Sequence, residues 1–136
     1  MRLVLGSALA AAMVVGLLAS PGAAKEGVVA RVLTPISRDA EPGSRLRIVW
    51  TLSFVHEGKR HPFGGGEIFV RLVGRDGSKS RREYAENPLP GRFRATVRVP
   101  RGGVSRVEVG IMGTACTAEG CRPAPKHFPI VGRVFR

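Results

Sequence analysis

The stretch RLRIVWTLSF, residues 45–54, alternates: Leu46, Ile48, Trp50, Leu52 and Phe54 fall on one side, with Arg45, Arg47, Thr51 and Ser53 on the other. Successive side chains of an extended chain point to opposite faces, so this period of two predicts a strand with one buried side. A second stretch, GRFRATVRVP at 91–100, sets Phe93, Ala95, Val97 and Val99 against Arg92, Arg94, Thr96 and Arg98, and Pro100 closes it. Trp50, central on its apolar face, is expected to plug the space between two sheets.

Outward from these two, weaker strand signals stand in VVARVL (28–33), EIFVRLVG (67–74), SKSRREYA (78–85), SRVEVGIMG (105–113) and HFPIVGRV (127–134). The joints EPGS, GRDGS, NPLPG and PRGG carry turn chemistry, and GRDGS reads as a hairpin turn. No helical period is sustained beyond the first 24 residues. Seven short strands with frequent turns predict an all-β fold, an antiparallel immunoglobulin-like β-sandwich of about seven strands. It is expected to form one domain over residues 25–136.

Ahead of that domain, residues 1–24 have the order of a signal-peptide helix: Arg2, an apolar run from Leu3 to Ala19, then small residues to Ala24. Cleavage is expected before Lys25, with an uncleaved anchor as the alternative. The expected destination is exported: extracellular, periplasmic or associated with the cell envelope.

The whole chain holds 22 basic and 10 acidic side chains. Loss of Arg2 with the signal would leave 21 against 10, a net of +11. This balance favours anionic partners: an envelope polymer, a phospholipid surface or an envelope protein. Arg45, Arg47, Arg71, Arg92, Arg94, Arg98 and Arg106 all fall at outward positions, and together they are the candidate anion-binding face. The alternative is a solvated face whose charges pair across strands with Glu83 and Glu108. Nucleic acid is disfavoured, because stacking aromatics do not interleave with these arginines.

The only cysteines, Cys116 and Cys121, lie in GTACTAEGCRPAP (113–125). In an exported chain such a pair is expected to close a local disulfide. The spacing is not that of a C-x-x-C redox pair, and zinc needs more ligands than this stretch provides. Copper is the competing reading: Met112, Cys116, Cys121 and His127 supply soft sulfur and an imidazole, and His56 and His61 would join if their loop folded to the same end. The loop KRHPFGGGE (59–67) matches no phosphate-binding fingerprint and reads as a connection between sheets. An enzyme is not expected, since there is no G-x-S-x-G and no carboxylate pair suited to acid–base work.

The segment PLPGRFRATVRVPRGGVSRVEVGI (88–111), with EIFVRLVGRDGS before it, resembles the C-terminal half of small exported immunoglobulin-like domains, the YtkA-like group among them. The resemblance is one of turns and strands over about half of the mature chain. It implies an extracytoplasmic sandwich, in a group that sometimes occurs beside copper-handling or transport proteins. The chain departs from members that carry a Met-Pro-Gly-His element, since Leu89 and Arg92 flank Pro90-Gly91 here, and the Cys116–Cys121 stretch has no counterpart in the pattern.

Overall fold

The computed structural model describes residues 27–136; the expected signal segment, 1–24, lies outside them. The described residues form nine strands: β1 (Val29–Val32), β2 (Arg45–His56), β3 (Lys59–Pro62), β4 (Glu67–Val73), β5 (Glu83–Tyr84), β6 (Glu86–Leu89), β7 (Arg92–Arg98), β8 (Arg106–Thr117) and β9 (Gly120–His127). All strand pairings are antiparallel, and they make two sheets. The first runs β1-β2-β7-β6, with β3 paired to the far end of β2; the second runs β5-β4-β8-β9.

The two sheets share one core. Ile48, Trp50 and Leu52 from β2 and Phe93 and Val97 from β7 pack in the same cluster as Val70 and Leu72 from β4 and Val107 and Val109 from β8. Trp50 is fully buried, and its ring stacks on Phe93 with centroids 6.0 Å apart. The alternation read in 45–54 and 91–100 thus does its expected work: the apolar side of each strand faces the opposite sheet, and the arginine side faces water.

The chain changes sheets at Ala85, between β5 in the second sheet and β6 in the first. β6 reaches only Arg92 and Arg94 of β7. No named strand therefore covers that side of β7 from Thr96 onward, which opens the groove described below.

The last strand signal is displaced. HFPIVGRV was expected as a strand, but β9 comes earlier, at 120–127. The remaining C-terminal segment makes only isolated parallel bridges, Ile130 with Ala30 and Phe135 with Ile36. β9 has no apolar alternation to betray it, because most of its side chains are in water. The Phe128 N–H donates to the Val109 carbonyl, and counting back along the ladder places Pro123 and Pro125 where the ladder asks for no donor. Their missing N–H groups face the outer edge of the sheet, which blunts it against pairing with another chain.

SKSRREYA is likewise only partly strand. GRDGS does turn the chain: the Gly74 N–H donates to the Ser78 carbonyl at 2.7 Å, and Gly77 takes φ 80°. On the return, however, the Ser80 hydroxyl accepts the Leu72 N–H, and regular pairing is held to Glu83–Tyr84. Within KRHPFGGGE, Lys59–Pro62 pairs with β2, and the glycines then carry the chain to the other sheet, Gly65 and Gly66 both at positive φ.

On the outer face of the second sheet, Phe69 lies over Gly110, its register partner. Phe69 is fully buried there beneath Tyr84 and His127, whose rings meet it edge-on at 6.4 and 5.9 Å. A Cβ at position 110 would stand 2.6 Å from Phe69 Cζ and 2.5 Å from the Lys126 carbonyl oxygen. Gly110→Ala is accordingly expected to destabilise the fold by about 1–3 kcal/mol, since backbone and ring must both give way. Urea unfolding of the variant checks this; an unchanged midpoint would contradict the packing.

Candidate anion-binding face

β2 and β7 put their arginines on one surface. In the register Arg45 stands opposite Arg98, Arg47 opposite Thr96, Val49 opposite Arg94 and Thr51 opposite Arg92. The Val99 N–H donates to the Ser44 carbonyl and the Leu52 N–H to the Gly91 carbonyl. The outward pairs therefore fall at the non-hydrogen-bonded positions, where side chains of antiparallel strands come closest. Like charges directly opposite are destabilising. Arg45 and Arg98 nevertheless face each other, both exposed, and among the described residues Arg98 donates only to the Gly43 carbonyl, at 3.3 Å.

Glu86 takes Arg94 at 3.0 Å. Among the described residues, neither Arg45 nor Arg47 has an acidic partner. Arg31 and Arg60 extend the same surface past the end of β7, where they line a second depression with Thr51 and Ser53. Arg60 donates to the Ser53 hydroxyl there, at 2.9 Å.

Arg71 and Arg106 are elsewhere. They belong to β4 and β8 of the second sheet, where Glu108 binds both, Arg71 Nε at 2.6 Å and Arg106 Nη2 at 2.9 Å. His127 Nε2 lies 3.6 Å from the same carboxylate. Desolvation raises the pKa of Glu108, and the hydrogen bonds from Arg71 and then Arg106 outweigh it, leaving the carboxyl below its ordinary value. Arg71 meets Glu108 as its cross-strand register partner and lies largely out of water, whereas the more exposed Arg106 reaches the same carboxylate from its own strand, two residues away. Glu83, the other acid considered, lies beside the groove below.

A groove of about 770 Å³ lies in the arginine surface at the uncovered side of β7. Arg45, Thr96 and Arg98 form one wall, and Lys79, Ser80 and Arg81, from the segment entering β5, form the other. Arg101 closes one end, and Glu83 is the acid in the lining. Arg101 is shared with Asp76, 3.8 Å away; hydrogen bonds from the Ser78 side chain and backbone lower the pKa of that carboxyl. Lys79 and Arg81 have no acidic partner among the described residues. Sequence reading missed Lys79, Arg81 and Arg101, because they sit in a broken strand and a turn whose side-chain directions no periodicity assigns.

Cys116 and Cys121 are joined in a disulfide. They are register partners near the tip of the β8–β9 hairpin, Cα atoms 4.0 Å apart, rather than parts of a loop. Both sulfurs are bonded to each other, so in this state the alternative copper set of Met112, Cys116, Cys121 and His127 holds no thiolate. His56 and His61 meet on the β2–β3 hairpin with ring centroids 6.2 Å apart, whereas His127 is on the other sheet against Phe69. Among the described residues no three His, Cys, Asp or Glu side chains gather in a way that could hold a metal ion. No described helix is long and apolar enough to cross a membrane. No family model, curated protein or solved structure matches this chain, and the arginine face is read from its geometry alone.

Proposed function

We propose that the protein is an exported, non-enzymatic binding module of immunoglobulin-like class, whose first sheet presents its arginines to an anionic partner in the cell envelope. The class is supported by the strand orders β1-β2-β7-β6 and β5-β4-β8-β9. They correspond to the A-B-E-D and C′-C-F-G orders of immunoglobulin-like sandwiches. Two features depart from antibody domains: Trp50 sits on the second strand, and the disulfide staples the last hairpin instead of joining the sheets. Export is supported by the disulfide, which an oxidising compartment preserves, and by the order of residues 1–24. The YtkA-like resemblance belongs to the same reading, since residues 88–111 run through β7 and its turns into β8.

The observation that carries the binding role is the Arg45–Arg98 pair. A fold gains nothing by placing two guanidinium groups opposite each other without an acid between them, whereas a bound anion turns their repulsion into a bidentate grip. The expected result is that the mature protein binds anionic envelope polymer at low salt and releases it as ionic strength shortens the Debye length from about 30 Å to about 8 Å. Co-sedimentation across a salt series measures this. Retention that does not depend on salt, or no retention at all, would remove the proposal.

A further inference from the structure

We infer that the groove between β7 and the segment entering β5 is a seat for consecutive phosphates of an extended phosphodiester chain. This rests on the binding role above and adds a place and a ligand class to it. The groove exists because the chain changes sheets at Ala85 and leaves β7 uncovered from Thr96 onward. Its lining therefore comes from both the first sheet and the segment that enters the second, Arg45 and Arg98 from one and Lys79 and Arg81 from the other, with Arg101 beside them. Five cations against Glu83 leave the lining at net +4, or +3 with the Asp76 carboxylate that shares Arg101, and either exceeds what one monovalent anion balances.

The geometry favours phosphate over carboxylate. A carboxylate is planar and is satisfied by one guanidinium fork in its own plane. A phosphodiester is tetrahedral, offers its charge to donors on more than one side, and repeats along a chain. Guanidinium forks match phosphate oxygens bidentately, and a lysine beside them serves as a point charge. The Thr96 side chain that also lines the groove brings a hydroxyl able to donate to a further oxygen, whereas the Ser80 hydroxyl is held between the Leu72 N–H and the Arg81 carbonyl. Concavity decides between a chain and a lipid surface: headgroups in a plane reach the exposed rim of the sheet, whereas a flexible chain can lie between the two walls.

The test uses the mature protein and three probes: poly(glycerol phosphate), polygalacturonate of matched charge, and vesicles of phosphatidylglycerol in phosphatidylcholine. Affinities are measured by titration calorimetry or flotation at a fixed, moderate salt concentration. Two double variants are compared, Arg45→Gln with Arg98→Gln in the groove and Arg31→Gln with Arg60→Gln at the other end of the face. The groove pair is expected to weaken poly(glycerol phosphate) binding by about 10–100-fold, a loss of about 1.4–2.8 kcal/mol spread over two partly solvated charge contacts. The distal pair is expected to weaken it by less than about threefold, as lost long-range attraction alone would do. Neither variant should unfold more readily than wild type, because none of these four arginines lies in the core, and the groove pair should gain slightly from relief of the Arg45–Arg98 repulsion. Lys79→Gln with Arg81→Gln, on the opposite wall, should repeat the loss.

Polygalacturonate binding as tight as poly(glycerol phosphate) would overturn the phosphate assignment and leave the anionic role standing. Equal losses in the groove and distal pairs would overturn the groove and point to a diffuse face. Vesicle binding tighter than binding to the soluble polymer would overturn the chain in favour of a membrane. Failure to bind all three probes would remove the broader role together with this inference.

Discussion

Trp50→Ala is expected to destabilise the protein by about 3–5 kcal/mol, the range for deleting a buried aromatic side chain. The indole is fully buried at the centre of the shared core, and its contact with Phe93 at 6.0 Å is lost with it. A cavity bounded by two sheets collapses poorly, because each wall is held by its own hydrogen-bond ladder. Small domains have a total stability of about 5–15 kcal/mol, so the variant should lie near the edge of folding. Trp50→Phe should cost less, about 1–2 kcal/mol, for two reasons. It keeps a ring against Phe93, and it removes a buried indole N–H that has no hydrogen-bond partner among the described residues. Urea unfolding followed by circular dichroism checks both, since Trp50 is the sole tryptophan and fluorescence is lost with it. Equal costs for the two variants would show that ring stacking contributes nothing there.

Glu108→Gln carries the second large effect, a loss of about 2–3 kcal/mol at neutral pH. Arg71 and Glu108 each keep only 13% of their side-chain surface in water, and their contact is 2.6 Å. Removing the carboxylate leaves the Arg71 guanidinium largely desolvated and without its counter-charge, and that penalty exceeds the net gain from the intact pair. Arg106 and His127 lose the same partner, but they are more exposed and contribute less. Replacing both sides, Arg71→Met with Glu108→Leu, should recover most of the loss, because two apolar groups leave no orphaned charge.

The same carboxylate gives a pH dependence. Its folded pKa lies below the ordinary value of 4.5, so it binds protons less readily in the folded than in the unfolded state. Its stabilisation is therefore fully present above 4.5 and is lost as pH falls through the lower folded value. Wild-type unfolding midpoints measured from neutral to acidic pH should fall in that window. Glu108→Gln should fall less steeply there, so the two curves converge in acid. Parallel curves would show that Glu108 is not the responsible group.

Part of the fold was legible in the sequence because burial leaves a period. β2 and β7 announce themselves through Trp50, Phe93 and their alternating neighbours, and the exposed half of the same alternation marks Arg45, Arg47, Arg92, Arg94 and Arg98 as one set. β9 left no such trace: its side chains are mostly in water on both faces, and Pro123 and Pro125 argue against a strand for any reader who does not know which edge is free. β3 and β6 were hidden for a related reason, each being four residues long and set among turn-forming residues. The cysteine spacing pointed to a disulfide, while its place across a strand pair depended on β9.

The sequence by itself thus determined which residues seek the core, which face of each alternating strand meets water, the excess of positive charge and the partnership of the two cysteines. These are local properties, set by side-chain chemistry at a spacing of two or by composition. Tertiary structure alone decided which arginines share a surface. Arg71 and Arg106 went to the other sheet and to Glu108, whereas Lys79 and Arg81 were brought across to Arg45 and Arg98. The reason is that strand order is a long-range choice: side-chain alternation tells a strand which face is wet, and only its partners tell it which other strands share that face.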